Sequence, residues 1–183
     1  MNSRALILLI SIFGLGCMAL ASAAESNDAK ATYTSVNAAA ASQYKIQRLK
    51  CDALAGNSKD VCVVEAKAAE KRSVAEAMAT YKGTDKARAS ARKDIADANF
   101  DVAKTTCQRL TGNDKDVCVK EAKSAHIAAI DDARADKKIA DIRNEVKEDK
   151  MDAEYNVARE KCDGLAGKAK DVCVKQAKTR FNK

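Results

Sequence analysis

Cysteine and histidine are the side chains with which this 183-residue chain could do chemistry, and it has seven of the first and one of the second. Cys17 stands alone. The other six fall in pairs, Cys51 with Cys62, Cys107 with Cys118 and Cys162 with Cys173, each pair 11 residues apart. Three chemistries compete for such a set: metal ligation, thiol redox exchange and structural cross-linking. Zinc sites place paired cysteines two to four residues apart, so this separation does not fit one. Redox centres use C-x-x-C, a motif the chain lacks. Structural disulfides are the preferred reading, with a thiol-redox or metal-buffering protein as the alternative. His126 lies in an alanine-rich stretch with no organised nucleophile beside it, and reads as a packing or surface residue. Asp60, Asp116 and Asp171 each precede a cysteine by two positions, and the positive start of a helix explains them without acid catalysis. No catalytic, cofactor or metal-binding residue is assigned, and an enzyme is not the expected class.

The compartment bears on the same choice. Met1-Asn2-Ser3-Arg4 is a short basic start, Ala5 to Leu20 is almost wholly apolar, and Ala21-Ser22-Ala23 follows. That order describes a secretory signal peptide over residues 1–23. Two other readings are an uncleaved anchor, for which the apolar run is short, and lipidation at Cys17, where Gly14 stands in place of a lipobox leucine. Cleavage after Ala23 leaves six cysteines in an exported, periplasmic protein, and an oxidising compartment favours disulfides. Six cysteines allow 15 pairings, so spacing must choose.

The choice comes from an internal repeat. Cys51-Asp52-Ala53-Leu54-Ala55-Gly56 leads to Lys59-Asp60-Val61-Cys62-Val63 and Ala66-Lys67. Cys107, Leu110 and Gly112 lead to Lys115-Asp116-Val117-Cys118-Val119 and Ala122-Lys123, and Cys162, Leu165 and Gly167 to Lys170-Asp171-Val172-Cys173-Val174 and Ala177-Lys178. Successive copies lie 56 and then 55 residues apart. Tyr44, Gln47, Cys51 and Leu54 are spaced as one stripe of a helix, as are Phe100, Ala103, Cys107 and Leu110, and Tyr155, Ala158, Cys162 and Leu165. This places aromatic, cysteine and leucine on one buried face. Gly56, Gly112 and Gly167 are expected to end each first helix in the left-handed conformation, and Asn57 and Asn113 to cap the next. Helix, tight turn and helix make an αα-hairpin with one cysteine on each arm. The pairing expected is Cys51–Cys62, Cys107–Cys118 and Cys162–Cys173.

The fold class expected is therefore all-α: three disulfide-stapled antiparallel hairpins with turns near 56, 112 and 167, elongated or bundle-like, over residues 39–183. Residues 24–38 show no pattern and read as a flexible lead-in. Gly83 and Thr84 mark a further break, whereas Asn113 to Gly164 holds no Gly or Pro and reads as one long helix striped by Ile139, Ile142, Val146, Ala153 and Val157. Pro and Trp are absent and Ala, Lys and Glu abound, as helix requires. Leu, Ile, Val and Phe supply only 24 of the 160 residues after Ala23, so the core is thin and cross-links would help it. The net charge of +7 is interleaved with acids, which suits a solvated helix face rather than a nucleic-acid surface. Weak association with acidic lipid or cell-wall polymer is a further reading of the basic faces.

The element C-D-x-L-A-G-x-x-K-D-V-C-V-x-x-A-K, as in Cys51 to Lys67 and Cys162 to Lys178, resembles small exported β-proteobacterial proteins, some labelled TolA-like or cell-envelope. The resemblance implies a periplasmic setting and an envelope association. It transfers no TolA mechanism and no functional residue, since no clear anchor or folded C-terminal domain of the TolA kind is seen. The function expected is a non-enzymatic binding or scaffold protein whose partner is an envelope protein or surface.

Overall fold

The computed structural model describes residues 21–183, with side chains from residue 27 onward. The signal-peptide reading of residues 1–23 and the Cys17 alternative rest on a segment outside these residues. Five helices follow one another: α1 Ala21–Cys51, α2 Gly56–Lys82, α3 Asp85–Cys107, α4 Gly112–Asp163 and α5 Gly167–Phe181. Among the described residues there is no strand. With no proline and few glycines, nothing interrupts the backbone ladder except the four connections.

Neighbouring helices pack antiparallel, as in a bundle, but only consecutive ones touch: α1 on α2, α2 on α3, α3 on α4, and α4 on α5. The array therefore does not close on itself. The seams are made of small residues. Ala66, Ala68 and Ala75 of α2 and Ala87, Ala91, Ala96 and Ala98 of α3 are buried, while Ile130 and Phe181 are the only large side chains buried among the described residues.

Residues 24–38 are not a flexible lead-in. They belong to α1, and Tyr33 stacks on Tyr81 of α2 with ring centres 5.3 Å apart. Ala29, Thr32 and Val36 line the same seam, and Ala40 is buried further along it. This stripe is built mostly of alanine and threonine with one valine and one aromatic, so its hydrophobic contrast is faint although its packing is regular.

The hairpin turns also differ from expectation. The first helices end at Cys51, Cys107 and Asp163, and Leu54, Leu110 and Leu165 donate their N–H groups to the carbonyls of Cys51, Cys107 and Cys162 in a tightened last turn. An extended residue follows, Ala55, Thr111 or Ala166, and then Gly56, Gly112 or Gly167 at φ of 55°, 56° or 53°. The glycines open the second helix rather than close the first. Going from extended to left-handed backbone in two residues reverses the chain, and only the second step needs glycine.

Asn57 and Asn113 do not cap these helices, which begin without a side-chain cap. Asn57 instead donates its amide to the carbonyl of Thr105, at 2.8 Å, in the last turn of α3. It ties hairpin one to hairpin two by adding a second donor to a helix-end carbonyl that already accepts the Gln108 N–H. The break between α2 and α3 follows the expected scheme. Gly83 is left-handed and donates to the Ala79 carbonyl, and the Thr84 hydroxyl accepts from the Ala87 N–H at 3.1 Å. α4 has no such break and runs unbroken for 52 residues, about 78 Å at 1.5 Å per residue.

Asn57→Ala should lower unfolding free energy by about 1 kcal/mol, the usual worth of a half-buried hydrogen bond, whereas Asn113→Ala should stay within about 0.5 kcal/mol. Urea titration of the two oxidised variants, followed by circular dichroism, checks the difference.

Candidate functional site

The residues singled out by spacing converge at the three hairpin heads. Disulfides join Cys51 to Cys62, Cys107 to Cys118 and Cys162 to Cys173, with Cα atoms 5.6, 5.7 and 5.7 Å apart. Cys51, Cys107 and Cys162 are fully buried, while their partners are half-buried. Two of the three leucines do not share that face, while Leu110 is half-buried. Leu54 and Leu165 are 43% and 45% exposed, because the helix has already ended and the turn carries them outward. Gln47 is exposed as well. At heads one and three an ion pair crosses the turn, Lys59 to Asp52 at 3.0 Å and Lys170 to Asp163 at 2.8 Å. Gln108 replaces the aspartate in head two. Hydrogen bonds hold the carboxyls of Asp52 and Asp163 below the usual range, from Arg48 and then Lys59 for the first and from Lys170 for the second. Asp60, Asp116 and Asp171 are exposed near the starts of their helices.

Two helical turns below each buried cysteine stands the aromatic of the repeat, half-buried against the opposite arm. The three copies differ in what meets it. The Lys67 ammonium lies 4.8 Å from the Tyr44 ring centre. The His126 imidazole stacks on Phe100, also at 4.8 Å. Phe181 meets Tyr155 edge to face at 6.2 Å. Counted from the second cysteine, Glu70, His126 and Phe181 occupy equivalent positions, and Glu70 holds Lys67 at 2.6 Å. An acid, an imidazole and a phenyl ring thus fill one place in the repeat.

His126 has the most chemistry-bearing surroundings. Its Nε2 lies 2.6 Å from Asp97 of α3, and Lys93 takes the other carboxylate oxygen at 2.8 Å. The Lys93 hydrogen bond first, and the His126 one second, push the Asp97 carboxyl below its usual range. A carboxylate that orients an imidazole is one half of a general-base arrangement. Here the ring face is covered by Phe100, and the contact fastens α3 to α4. Arg92 to Asp136 is a second fastener across the same seam. Among the described residues no group of three or more His, Cys, Asp or Glu side chains is placed to hold a metal ion. No helix among them is long and apolar enough to cross a membrane.

The stripe expected on the long helix is present but uncovered. Ile139, Ile142, Val146 and Val157 are each about half exposed, and Ala153 is exposed too. α4 meets α3 along His126, Ile130 and Ala133 and meets α5 along Tyr155, Ala158 and Cys162, and both sets lie on the side of the helix away from the stripe. An open groove beside the third disulfide is lined by Val157, Ala158, Ala177 and Phe181. Comparison with protein-family models, curated proteins and solved structures finds no match to this chain.

Two outcomes follow from these heads. Closing an 11-residue loop is worth about 2–3 kcal/mol, and hairpin three has the shortest second arm and no neighbour beyond it. Replacing Cys162 and Cys173 by alanine should therefore fray α5, with hydrogen exchange rising across residues 167–181 and little changed in α1 to α3. Asp97 contributes stability that is present above the ordinary carboxylate pKa and lost as pH falls through its depressed folded value. With its side chain 40% exposed, screening keeps this under about 1 kcal/mol. Acid unfolding of Asp97→Asn, measured from about pH 5 to about pH 2, should be correspondingly shallower than that of the unaltered chain.

Proposed function

We propose that this chain is a non-enzymatic scaffold or binding protein of the periplasm that presents a stiff helical array to another protein or surface of the cell envelope. The observation that carries the reading is the open array itself. Among the described residues each helix touches only its neighbours in sequence, which leaves the broad faces of the array open to contact. Small-molecule and active sites are usually enclosed concave pockets that bury most of their ligand, whereas the spaces here are grooves along helix seams, such as that lined by Val157 and Phe181. The three disulfides limit flexing at the hairpin heads and fit an oxidising compartment. The basic, apolar and small-residue order of residues 1–23 supports export. Likeness of the repeat to exported β-proteobacterial envelope proteins supports the setting.

Intact mass of the protein from its producing cell tests the setting. The chain should begin at Ala24, carry no lipid and weigh six hydrogens less before reduction than after it. Thiol reagents should leave the native protein unlabelled; ready labelling would favour the thiol-redox or metal-buffering alternative. Capture from envelope extracts at micromolar protein should retain a partner with the oxidised chain and lose it after reduction. Absence of any partner would count against a binding role.

A further inference from the structure

The internal repeat identifies what covers the bare stripe of α4. Counted back from Cys107 and Cys162, α3 positions Ala87, Ala91, Ala98 and Val102 correspond to Ile142, Val146, Ala153 and Val157 of α4. In α3, Ala87, Ala91 and Ala98 are buried. They lie at 3-4 spacing with Asp94, Asp101 and Thr105, which line grooves shared with Val64, Ala68, Lys71 and Met78 of α2. This is the face that α3 turns to α2. The exposed stripe of α4 is thus the third repeat's copy of a surface that the second repeat buries.

The complementary surface is also in the chain. Counted from Cys62 and Cys118, the α3-facing side of α2 corresponds to Lys120, Ser124, Ile127, Asp131 and Arg134 of α4, all exposed. In the first repeat this side reaches its partner because Gly83 and Thr84 fold the chain back. The second repeat has Lys138-Ile139-Ala140 at that point, and the helix runs straight on. The first half of α4 cannot reach its own second half. It can reach the second half of another copy.

We propose that two copies of the chain pair through α4, antiparallel about a two-fold axis near Ile139 and Ile142, and so rebuild the α2–α3 seam between molecules. The geometry has precedent inside the chain, since α2 and α3 each already hold a neighbour on both sides. Carrying the α2–α3 neighbours over gives two pairs of opposite charge, while the Lys71–Asp101 ion pair becomes Ile127 and Asn156 and buried Ala75 becomes Asp131. Val64 and Thr105 line one groove and become Lys120 and Glu160; Met78 and Asp94 line another and become Arg134 and Asp149. Ile127, half exposed in one chain, is brought over Ala153 of the other copy. The paired length is about 60 Å of helix per chain, which is enough to clear the roughly 1,000 Å² of a specific interface. This pairing stands whether or not the envelope reading does.

Sedimentation velocity of the oxidised chain recovered from its producing cell tests the proposal. The expected result is a mass twice that of one chain at tens of micromolar. Ile142→Glu combined with Val146→Glu should give a monomer with unchanged helix content, since both side chains are exposed in the single chain. Lys120→Glu should weaken pairing about five- to tenfold, as two exposed ion pairs are lost per dimer, and adding Glu160→Lys should restore it. These two positions are about 60 Å apart within one molecule, so rescue requires antiparallel pairing. A monomer at every concentration, a dimer indifferent to the glutamates, or a charge swap without rescue would each overturn the assignment.

Discussion

The structure depends on a covalent constraint at each bend. Among the described residues, ten of the fifteen buried apolar ones are alanines, and three more are the cysteines themselves. An alanine methyl removes little apolar surface from water, so each seam gains only a small hydrophobic return for the residues it orders. A closed bundle could recover part of that by burying helices on several sides, but this array remains open. The disulfide acts on the other side of the balance by shrinking the ensemble available to the unfolded hairpin. It also sets register. With Cys51 held to Cys62, the two arms can meet in only one phase, which brings Tyr44 under Lys67 and Tyr33 against Tyr81.

One repeat sequence adopts two shapes in the same molecule. Residues 56–107 fold as two helices joined at Gly83, and residues 112–163 as a single helix. The difference is local chemistry. Gly83 takes φ of 61° at no steric cost, Thr84 supplies a capping hydroxyl, and Arg88 donates to the Gly83 carbonyl and to Asp85. Lys138, Ile139 and Ala140 offer no left-handed residue and no cap, and all three favour continuing the helix over stopping it. A turn of three residues thus decides whether a seam forms within a chain or is left uncovered.

Much of this was legible in the residues. The 11-residue cysteine spacing, recurring beside Gly and Lys-Asp-Val, implied the three pairings and the hairpins, because cysteines a turn and a half either side of a tight bend face each other. What spacing could not give was the phase of small residues. The α1 seam through Ala29, Thr32 and Val36 looked patternless because alanine packs well without standing out as hydrophobic. Gly56 was read as a stop although it is a start, since a single glycine marks a bend without saying on which side of it the left-handed residue lies. Asn57 matched a cap by type, but its amide was claimed by Thr105, 48 residues away. The pairing of Asp97 with His126 was hidden for the same reason: neither residue has a local pattern, and only the α3–α4 phase brings them together.

The variable position beneath each aromatic shows how the array compensates for its open ends. In hairpins one and two, Glu70 and His126 stand there, and both are polar residues that reach a charged partner. Those hairpins can tolerate polarity because α2 and α3 pack on each other and bury Ala75, Ala91 and Ala98 between them. Within one chain hairpin three has no helix beside it, and its arm α5 is the shortest of the five helices. There the equivalent place is taken by Phe181, 7% exposed, set against Tyr155. An edge-to-face aromatic pair adds about 0.5–1.5 kcal/mol beyond its buried area. Asn182, left-handed at φ of 55°, then closes the helix with its N–H on the Lys178 carbonyl, and Lys183 reaches Asp152. The hairpin without a lateral neighbour in its own chain is thus the one that supplies its own aromatic core and its own terminal clasp.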